Sequence, residues 1–237
     1  MTAAAEPAGF DAHAATYDAE LDAGLSATGE DKLYFARGRL MLVAERLRTR
    51  GASAAAVLDF GCGDGTGSAL MHELLGASRV VGVDVSDELL AIARRRHGSS
   101  VVSFTRVDDL KGTAFNLAFC NGVFHHIPLR ERAAAMVAIH GALRPGGYFA
   151  LWENNPWNPG TRYVMHRVPF DRDALTITPP EARRLAAAAG FEVIETAFAF
   201  VFPRALRWLR ALEPACARLP LGGQYLVLCR KRESPTT

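Results

Sequence analysis

Apolar residues along this chain follow two alternating patterns. Short runs rich in Val, Leu and Phe, typical of buried strands, alternate with longer stretches in which apolar residues recur every three or four positions, typical of helices. The predicted strands are Val57–Phe60, 80–84, 101–107, Phe115–Cys120, Tyr148–Glu153, Phe191–Phe202 and Gln224–Arg230. The predicted helices are 31–50, 66–75, 87–96, 129–143 and 179–189. This alternation predicts an α/β fold with a doubly wound sheet.

The last two predicted strands are connected differently from the others. No stretch of crossover-helix size directly follows Phe191–Phe202. Parallel neighbours need such a crossover, whereas antiparallel neighbours do not. We therefore expect a seven-stranded sheet that is mostly parallel and has an antiparallel C-terminal strand.

The junction after the first predicted strand is rich in glycine. Asp59 is followed by Gly61, Gly63 and Gly65 in the pattern G-x-G-x-G. Glycine adopts positive φ and lets a ligand approach the backbone, and the N–H groups that open the following helix favour an anion. The dinucleotide-binding fingerprint G-x-G-x-x-G fails here in either register.

This junction resembles the first motif of class I S-adenosylmethionine (SAM) dependent methyltransferases. The resemblance has strong motifs over roughly residues 55–153 and weaker ones beyond. It implies a Rossmann-like sheet and SAM as the cofactor, with S-adenosylhomocysteine (SAH) as the product. It also implies that the cofactor is contacted by Asp59, Gly61, Cys62, Gly63 and Gly65.

Two further predicted strands end in acidic residues. Asp84, followed by Val85, stands at the tip of the second strand, where an acid accepts hydrogen bonds from ribose hydroxyls. NAD-binding folds use the same device, so Asp84 alone does not identify the cofactor. The third strand is followed by Asp108, Asp109 and Leu110. By resemblance one of these acids, preferably Asp108, accepts a hydrogen bond from the adenine amine.

The segment after the fourth strand, Asn121–Pro128, is similar to one found in methyltransferases of ubiquinone and menaquinone biosynthesis. In that group it lines the methionine part of SAM and the methyl-transfer point. The resemblance implies that Asn121 and Gly122 contact the cofactor and that Phe124 and His126 contact the acceptor.

Three residues near this point are candidate general bases: His125, His126 and Glu153. If the segment is extended, only one of the two adjacent histidines faces the crevice. Paired histidines also look like a family feature that is present where no base is needed. A phenol or amine acceptor would use a base, whereas a carboxylate would not.

The loop after the fifth strand combines amides with aromatic and basic residues. Loops at the carboxyl ends of parallel strands carry function more often than packing, although a plain surface loop would look similar. We predict that it lines an acceptor pocket through Asn154, Asn155, Trp157, Arg162 and His166. An Asn-Pro-Pro-aromatic sequence, typical of nucleic-acid base methylation, is missing after strand four, and Asn155-Pro156-Trp157 follows the wrong strand.

Residues 51–237 are predicted to form the SAM-binding methyltransferase domain, with one cap before it and two insertions within it. Residues 1–50 form a helical cap in which Tyr17 and Arg37 touch SAM, although solvated helix faces would show the same residues. Residues 154–178 and 203–222 are substrate-side or lid insertions. The basic, amphipathic stretch 203–219 suits a membrane or protein partner, or equally a helix packed on the sheet.

Composition narrows the class of protein. The 237 residues, 49% of them hydrophobic, suffice for one catalytic domain, and a net charge of +2 does not favour nucleic acid. Four scattered cysteines form no zinc or disulfide pattern, so we expect no metal. The chain shows no signal peptide and no 18-residue apolar run, which predicts a cytoplasmic protein without stable membrane insertion. A homodimer is left open.

The sequence thus predicts a SAM-dependent methyltransferase that acts on an O, N or C nucleophile of a small molecule. A protein that binds SAM without catalysis and serves as a partner or regulator is the alternative. Detection of a methylated product from labelled SAM separates the two.

Overall fold

The computed structural model describes residues 16–110, 112, 115–172 and 174–233. Its strands are β1 (Ala56–Phe60), β2 (Arg79–Asp84), β3 (Val102–Arg106), β4 (Phe115–Asn121), β5 (Leu143–Asn154), β6 (Phe191–Ala199) and β7 (Gln224–Lys231). Its helices are α1 (Tyr17–Leu25), α2 (Lys32–Arg48), α3 (Thr66–Leu75), α4 (Asp87–His97), α5 (Arg132–Ala142), α6 (Pro159–Arg167), α7 (Pro179–Ala188) and α8 (Glu213–Cys216). Short 3₁₀ segments are Ser26–Thr28, Val107–Asp109, Pro169–Asp171 and Arg204–Leu212.

The strands form one sheet in the order β3-β2-β1-β4-β5-β7-β6. The pairs from β3 to β5 are all parallel, and β7 runs antiparallel to both β5 and β6. The predicted fold class is confirmed. Strand order reverses between β1 and β4, which is where open α/β sheets leave a crevice for ligands.

Alternation along the strands divides the core into two layers. On β4, Leu117 and Phe119 pack into the layer that contains α2, α3 and α4. Their neighbours Ala118 and Cys120 pack into the layer that contains α5 and α7. Since successive side chains of a strand point to opposite faces, a nearly continuous apolar strand covers both layers.

Local sequence signals set the helix ends close to their predicted positions. The Ser86 hydroxyl accepts a hydrogen bond from Leu89 N (3.1 Å) and caps α4, as predicted. Thr178 and Glu181 form a capping box at the start of α7. Gly190 follows α7 with a φ of +96°, a conformation that favours glycine.

Two strand boundaries differ from the prediction by more than one residue. β5 begins at Leu143, because Leu143 pairs with Phe115 before residues 144–147 bulge out and pairing resumes at Tyr148. β6 ends at Ala199 and not at Phe202. Phe200 has a φ of +62°, which turns the chain out of the strand.

The connection between β6 and β7 is not a helix packed on the sheet. Arg204–Leu212 is a kinked 3₁₀ segment with no buried residue, and Trp208 is 74% exposed. Packing on the sheet therefore does not explain its amphipathic pattern, and a membrane or protein partner is the prediction that remains. No helix within the described ranges has both the length and the apolar content that crossing a bilayer requires.

Candidate cofactor and acceptor site

A cavity of about 790 Å³ opens at the carboxyl ends of β1, β2 and β4. One side is lined by the glycine-rich turn and by residues that follow β2, β3 and β4. The opposite side is lined by α1, by α6 with the 3₁₀ turn after it, and by residues 200–203. The volume lies within the range of small-molecule sites, so the described cavity has room for a ligand of cofactor size.

The glycine-rich turn is held close to its neighbours. Gly61 has a φ of +76°, and a Cβ at this position would clash with the Val123 side chain. Gly65 has a φ of +82°, and its Cβ would lie 2.7 Å from the Phe104 ring. Gly63 also has positive φ and lines the cavity. Both the conformation and the close packing therefore require glycine.

Asp59 supports this turn from behind. Its side chain is buried, does not line the described cavity, and accepts a hydrogen bond from the Ser68 hydroxyl (2.6 Å) in the first turn of α3. Burial raises the pKa of Asp59 to about 7. Cys62 is likewise buried, and burial raises the pKa of its thiol. These two predicted cofactor contacts are placed where they support the loop.

Asp84 links the two turns that border the cofactor side. One carboxylate oxygen accepts from Gly63 N (2.8 Å), and the other accepts from Val85 N (2.8 Å) and Ser86 N (3.0 Å). Asp84 and Val85 line the cavity, as does Asp108. Asp109 and Leu110 lie beyond its described wall.

Asn121 and Gly122 line the cavity where β4 ends. Gly122 N donates to Trp152 O (2.9 Å), which fixes the turn after the strand. Asn121 Oδ1 is buried and has no hydrogen-bond partner among the described residues. A buried acceptor of this kind needs a donor, and the ammonium group of a bound SAM would offer one. The site therefore fits the cofactor.

The two histidines and two acids form one continuous chain of contacts. His125 Nδ1 lies 2.6 Å from Glu153 Oε2, and His125 Nε2 lies 3.3 Å from Asp171 Oδ1. His126 Nε2 lies 3.1 Å from the same Asp171 oxygen. Glu153 also accepts from the backbone N–H groups of Val123 (3.1 Å) and Phe124 (2.7 Å) through Oε1. Glu153 is therefore fully engaged in holding the turn.

The charges of this cluster follow from its contacts. Burial alone would lower the pKa of His125, but the ion pairs with Glu153 and Asp171 outweigh it and raise the pKa to about 10. Burial would raise the pKa of Asp171, but hydrogen bonds from both histidines lower it to about 2. Burial lowers the pKa of His126. At neutral pH, His125 is a buried cation and His126 is neutral.

These three side chains also approach the spacing of a cation site. The ligand atoms of His125, His126 and Asp171 lie within 4.8 Å of one another. The same atoms are already bonded to each other, and a protonated His125 cannot donate a lone pair to a metal.

The cluster predicts a pH dependence of stability. His125 has a folded pKa above its unfolded value of about 6.5, so its stabilisation is complete below pH 6.5 and is lost as the pH rises towards 10. We expect the free energy of unfolding, measured with urea, to fall by roughly 1–2 kcal/mol between pH 7.5 and 8.5. The His125→Gln variant should lose this slope; if its slope matches that of the parent, His125 is not the charged group.

The loop after β5 presents one helical face to the cavity. Gly160, Val164 and Val168 are four residues apart and line it. Arg162 and His166 share an exposed face that does not border the described cavity. The sequence predicted acceptor contacts for this loop but could not fix the phase of α6.

The other predicted acceptor residues are divided between wall, core and surface. Asn154 lines the cavity, whereas Phe124 is fully buried. Asn155 is buried, and its amide nitrogen donates to Pro220 O (3.1 Å) and Gly222 O (2.8 Å). Trp157 is 50% exposed and lies outside the described wall. Asn155 therefore joins the loop after β5 to the segment before β7.

Of the basic residues in the cap, Arg39 and Lys32 line the described cavity, whereas Arg37 does not. Arg37 is exposed and makes two hydrogen bonds to Glu73 on α3. Arg39, two residues further along α2, is buried, lines the cavity and donates to Gln224 Oε1 (2.9 Å). Lys32 lines it as well and pairs with Asp64 (2.8 Å) in the glycine-rich turn. The side chain of Tyr17 lies outside the described residues.

The comparisons with known proteins agree with this geometry. A family described as "Methyltransferase domain" matches residues 57–147, which run from β1 to the start of β5. The sheet topology, the glycine-rich turn and the acids after β2 and β3 agree with this match, so the chain is similar over residues 57–147 to class I SAM-dependent methyltransferases.

Curated relatives include two proteins named trans-aconitate 2-methyltransferase. That of Rhodopseudomonas palustris (strain BisB18) is 28% identical over 166 residues, which cover 70% of this chain and 59% of the relative. That of Azoarcus sp. (strain BH72) is 33% identical over 139 residues, covering 57% and 49%. The matches thus span about half of these relatives' length.

A solved structure shares the fold over nearly the whole chain. It is a TehB-like SAM-dependent methyltransferase from Corynebacterium glutamicum, with a TM-score of 0.62 and 20% sequence identity. The match covers 94% of this chain and 99% of that one.

Proposed function

We propose that this protein transfers the methyl group of SAM to one nucleophilic atom of a small-molecule acceptor. A single observation carries the proposal: one cavity joins the cofactor side at Gly61, Gly63 and Asp84 to a second side at His126 and Asp171. A protein that only binds the cofactor would need only the cofactor side of this cavity. The second half gives an acceptor a place beside the reacting methyl.

The cofactor contacts follow from the wall of the cavity. Asp84 accepts from the ribose hydroxyls, and Asp108 from the adenine amine. The SAM ammonium donates to Asn121 Oδ1, and the buried Arg39 pairs with the SAM carboxylate. When bound, SAM supplies a methyl group that is already electrophilic. The protein's main task is therefore to align the acceptor and exclude water.

His126 is the residue that removes a proton from an acceptor that needs it. Its Nε2 donates to Asp171, which stays ionised because its pKa is about 2, so the neutral ring carries its lone pair on Nδ1. Asp171 thereby fixes the tautomer, and His125 with Glu153 fixes Asp171. His125 itself is charged and cannot accept the proton.

The proposal also assigns three segments as lids and makes the reaction independent of metal. Residues 16–50, 154–178 and 203–222 close the acceptor side, which favours a small molecule over nucleic acid. Because the methyl group needs no Lewis acid, we propose that the reaction is independent of metal. The named substrate of the curated relatives is trans-aconitate, and for this chain we propose a different acceptor class, argued below.

The first test of the proposal is cofactor binding by calorimetry. The parent should bind SAM and SAH, and Asp84→Asn should weaken both by roughly 10–100-fold, because a charge-assisted hydrogen bond is worth about 1.5–3 kcal/mol. Asp87→Asn, which changes an exposed acid paired with Arg106, is the matched control and should leave affinity unchanged. A parent that binds neither compound would overturn the proposed function.

The second test distinguishes an enzyme from a SAM-binding partner. The parent is incubated with methyl-labelled SAM, EDTA and a bacterial small-molecule extract. We expect label in a low-mass product, and roughly 10–100-fold slower labelling with the Asp84→Asn variant at SAM concentrations below the dissociation constant of the parent. A parent that binds SAM and yields no labelled product would favour the non-catalytic alternative.

A further inference from the structure

The acceptor side of the cavity has a wall that none of the sheet strands supplies. It comes from α1, from α6 with the turn after it, and from the segment that follows β6. We call it the apolar wall, and its side chains are Leu21, Leu25, Val164, Val168, Phe170 and Phe202. Apolar side chains from three separate segments therefore converge on the space where an acceptor must lie.

Close backbone contacts hold the apolar wall together. A Cβ on Gly24 of α1 would clash with the Val168 side chain, so α1 lies directly against the end of α6. Gly38 of α2 has a similar role, because a Cβ there would lie 2.7 Å from the Phe200 ring. Close packing of this kind fixes the shape of the wall.

Phe200 has a strained backbone and connects the apolar wall to an aromatic cluster. Its φ of +62° is one that phenylalanine rarely adopts, and strain of this kind persists where the surroundings enforce it. The ring lies 5.0 Å from the Phe35 ring and 6.0 Å from the Tyr34 ring, both edge-on. All three rings line the cavity. The strain therefore positions an aromatic surface beside the apolar wall.

Two of the three Lys and Arg side chains on the described cavity wall are paired with acids. Arg210 bonds to Glu30 (2.8 Å) and lies over the Tyr34 ring. Lys32 bonds to Asp18 (2.6 Å) and Asp64 (2.8 Å). A polycarboxylate acceptor would need several cations to replace its lost hydration. Lys32 and Arg210 already have acidic partners, and Arg39 is assigned above to the SAM carboxylate.

We propose that the acceptor is a molecule with an aromatic or alkyl body and a single nucleophilic group, and not a polycarboxylate. This inference rests on the proposed function and names its substrate class. The apolar body packs against the apolar wall and the Phe200 ring. The nucleophilic group points towards His126, the polar end of the same space.

The test uses N-phenyl-1-naphthylamine, a neutral aromatic compound whose fluorescence rises in apolar sites. The parent, saturated with SAH, should bind the probe, and Phe202→Asn and Leu25→Asn should weaken probe binding roughly tenfold or more because each removes apolar contact. Leu212→Asn is the matched control, since Leu212 is 52% exposed on the same connection and lies outside the wall. It should leave probe binding unchanged.

SAH affinity, measured on the same samples by calorimetry, keeps the two proposals separable. It should stay within about twofold of the parent value in all three variants, which also shows that they are folded. Millimolar citrate, a tricarboxylate, should not displace the probe. The inference fails if SAH binds but the probe does not, if Leu212→Asn weakens the probe as much as Phe202→Asn, or if citrate displaces the probe. If the parent itself does not bind SAH, the proposed function is overturned instead.

Discussion

Glu153→Gln should lower the free energy of unfolding by about 3–5 kcal/mol at pH 7, as measured by urea denaturation followed by circular dichroism. Glu153 is 1% exposed, and its carboxylate is 2.6 Å from the charged ring of His125. Glutamine keeps the shape and still accepts from the N–H groups of Val123 and Phe124. It removes the closer charged partner of the buried imidazolium and leaves Asp171, 3.3 Å away, as the other. Breaking a buried ion pair by removing one partner is costly.

The matched control is Glu195→Gln, on β6. Glu195 also pairs with basic side chains, Arg46 (2.7 Å) and Arg50 (3.3 Å), but its side chain is 26% exposed, so water screens the pairs. Exposed pairs are worth about 0–1 kcal/mol, so this variant should differ little from the parent. Equal stability of the two variants would show that Glu153 does not hold a buried charge. Glu153 would then return as a candidate base.

The sequence predicted the sheet well because its signals are local. Each strand of the parallel part is a short apolar run, and the ends of α3 and α4 are marked by Gly65 and Ser86 within one turn. The glycine-rich turn was identified for the same reason. Its φ values and its contact with Val123 follow from residues that are close in sequence or on adjacent strands.

The acceptor side was harder to predict because its contacts are distant in sequence. Asp171 meets His125 from 46 positions away, and no pattern within either segment indicates that they touch. Arg37 and Arg39 are equally basic, and only the rotation of α2 against the sheet decides which one lines the cavity. The same argument applies to α6, because the rotation of this helix decides that Val164, and not His166, faces the cavity.

In the sequence, Asp171 is only an acid at the end of Pro169–Asp171, and nothing there indicates a positioning role. The structure brings Asp171 to both histidines, because its Oδ1 lies 3.3 Å from His125 Nε2 and 3.1 Å from His126 Nε2. The charged His125 ring pairs with the Asp171 carboxylate, and the neighbouring His126 ring is neutral. The two adjacent histidines thus differ in charge at neutral pH, and we propose different roles for them.

His126→Ala should reduce kcat by roughly 10²–10⁴ for an acceptor that must lose a proton, while SAH affinity measured in parallel stays nearly unchanged. His166→Ala is the matched control, since His166 is exposed on α6 and lies outside the described cavity wall. Asp171→Asn should reduce kcat less than His126→Ala and should shift the acid limb of the pH–rate profile to lower pH. This shift is expected because the carboxylate raises the basicity of His126.

The pH profile separates a base from a residue that only positions the acceptor. The pKa of His126 is lowered by burial, so parental activity should fall only when the pH drops below the ordinary histidine range. A merely structural effect of His126→Ala would raise KM and leave the acid limb in place. Near-parental kcat in His126→Ala across neutral pH would reject proton removal by this residue, and alignment of the acceptor with the methyl group would then have to account for the reaction.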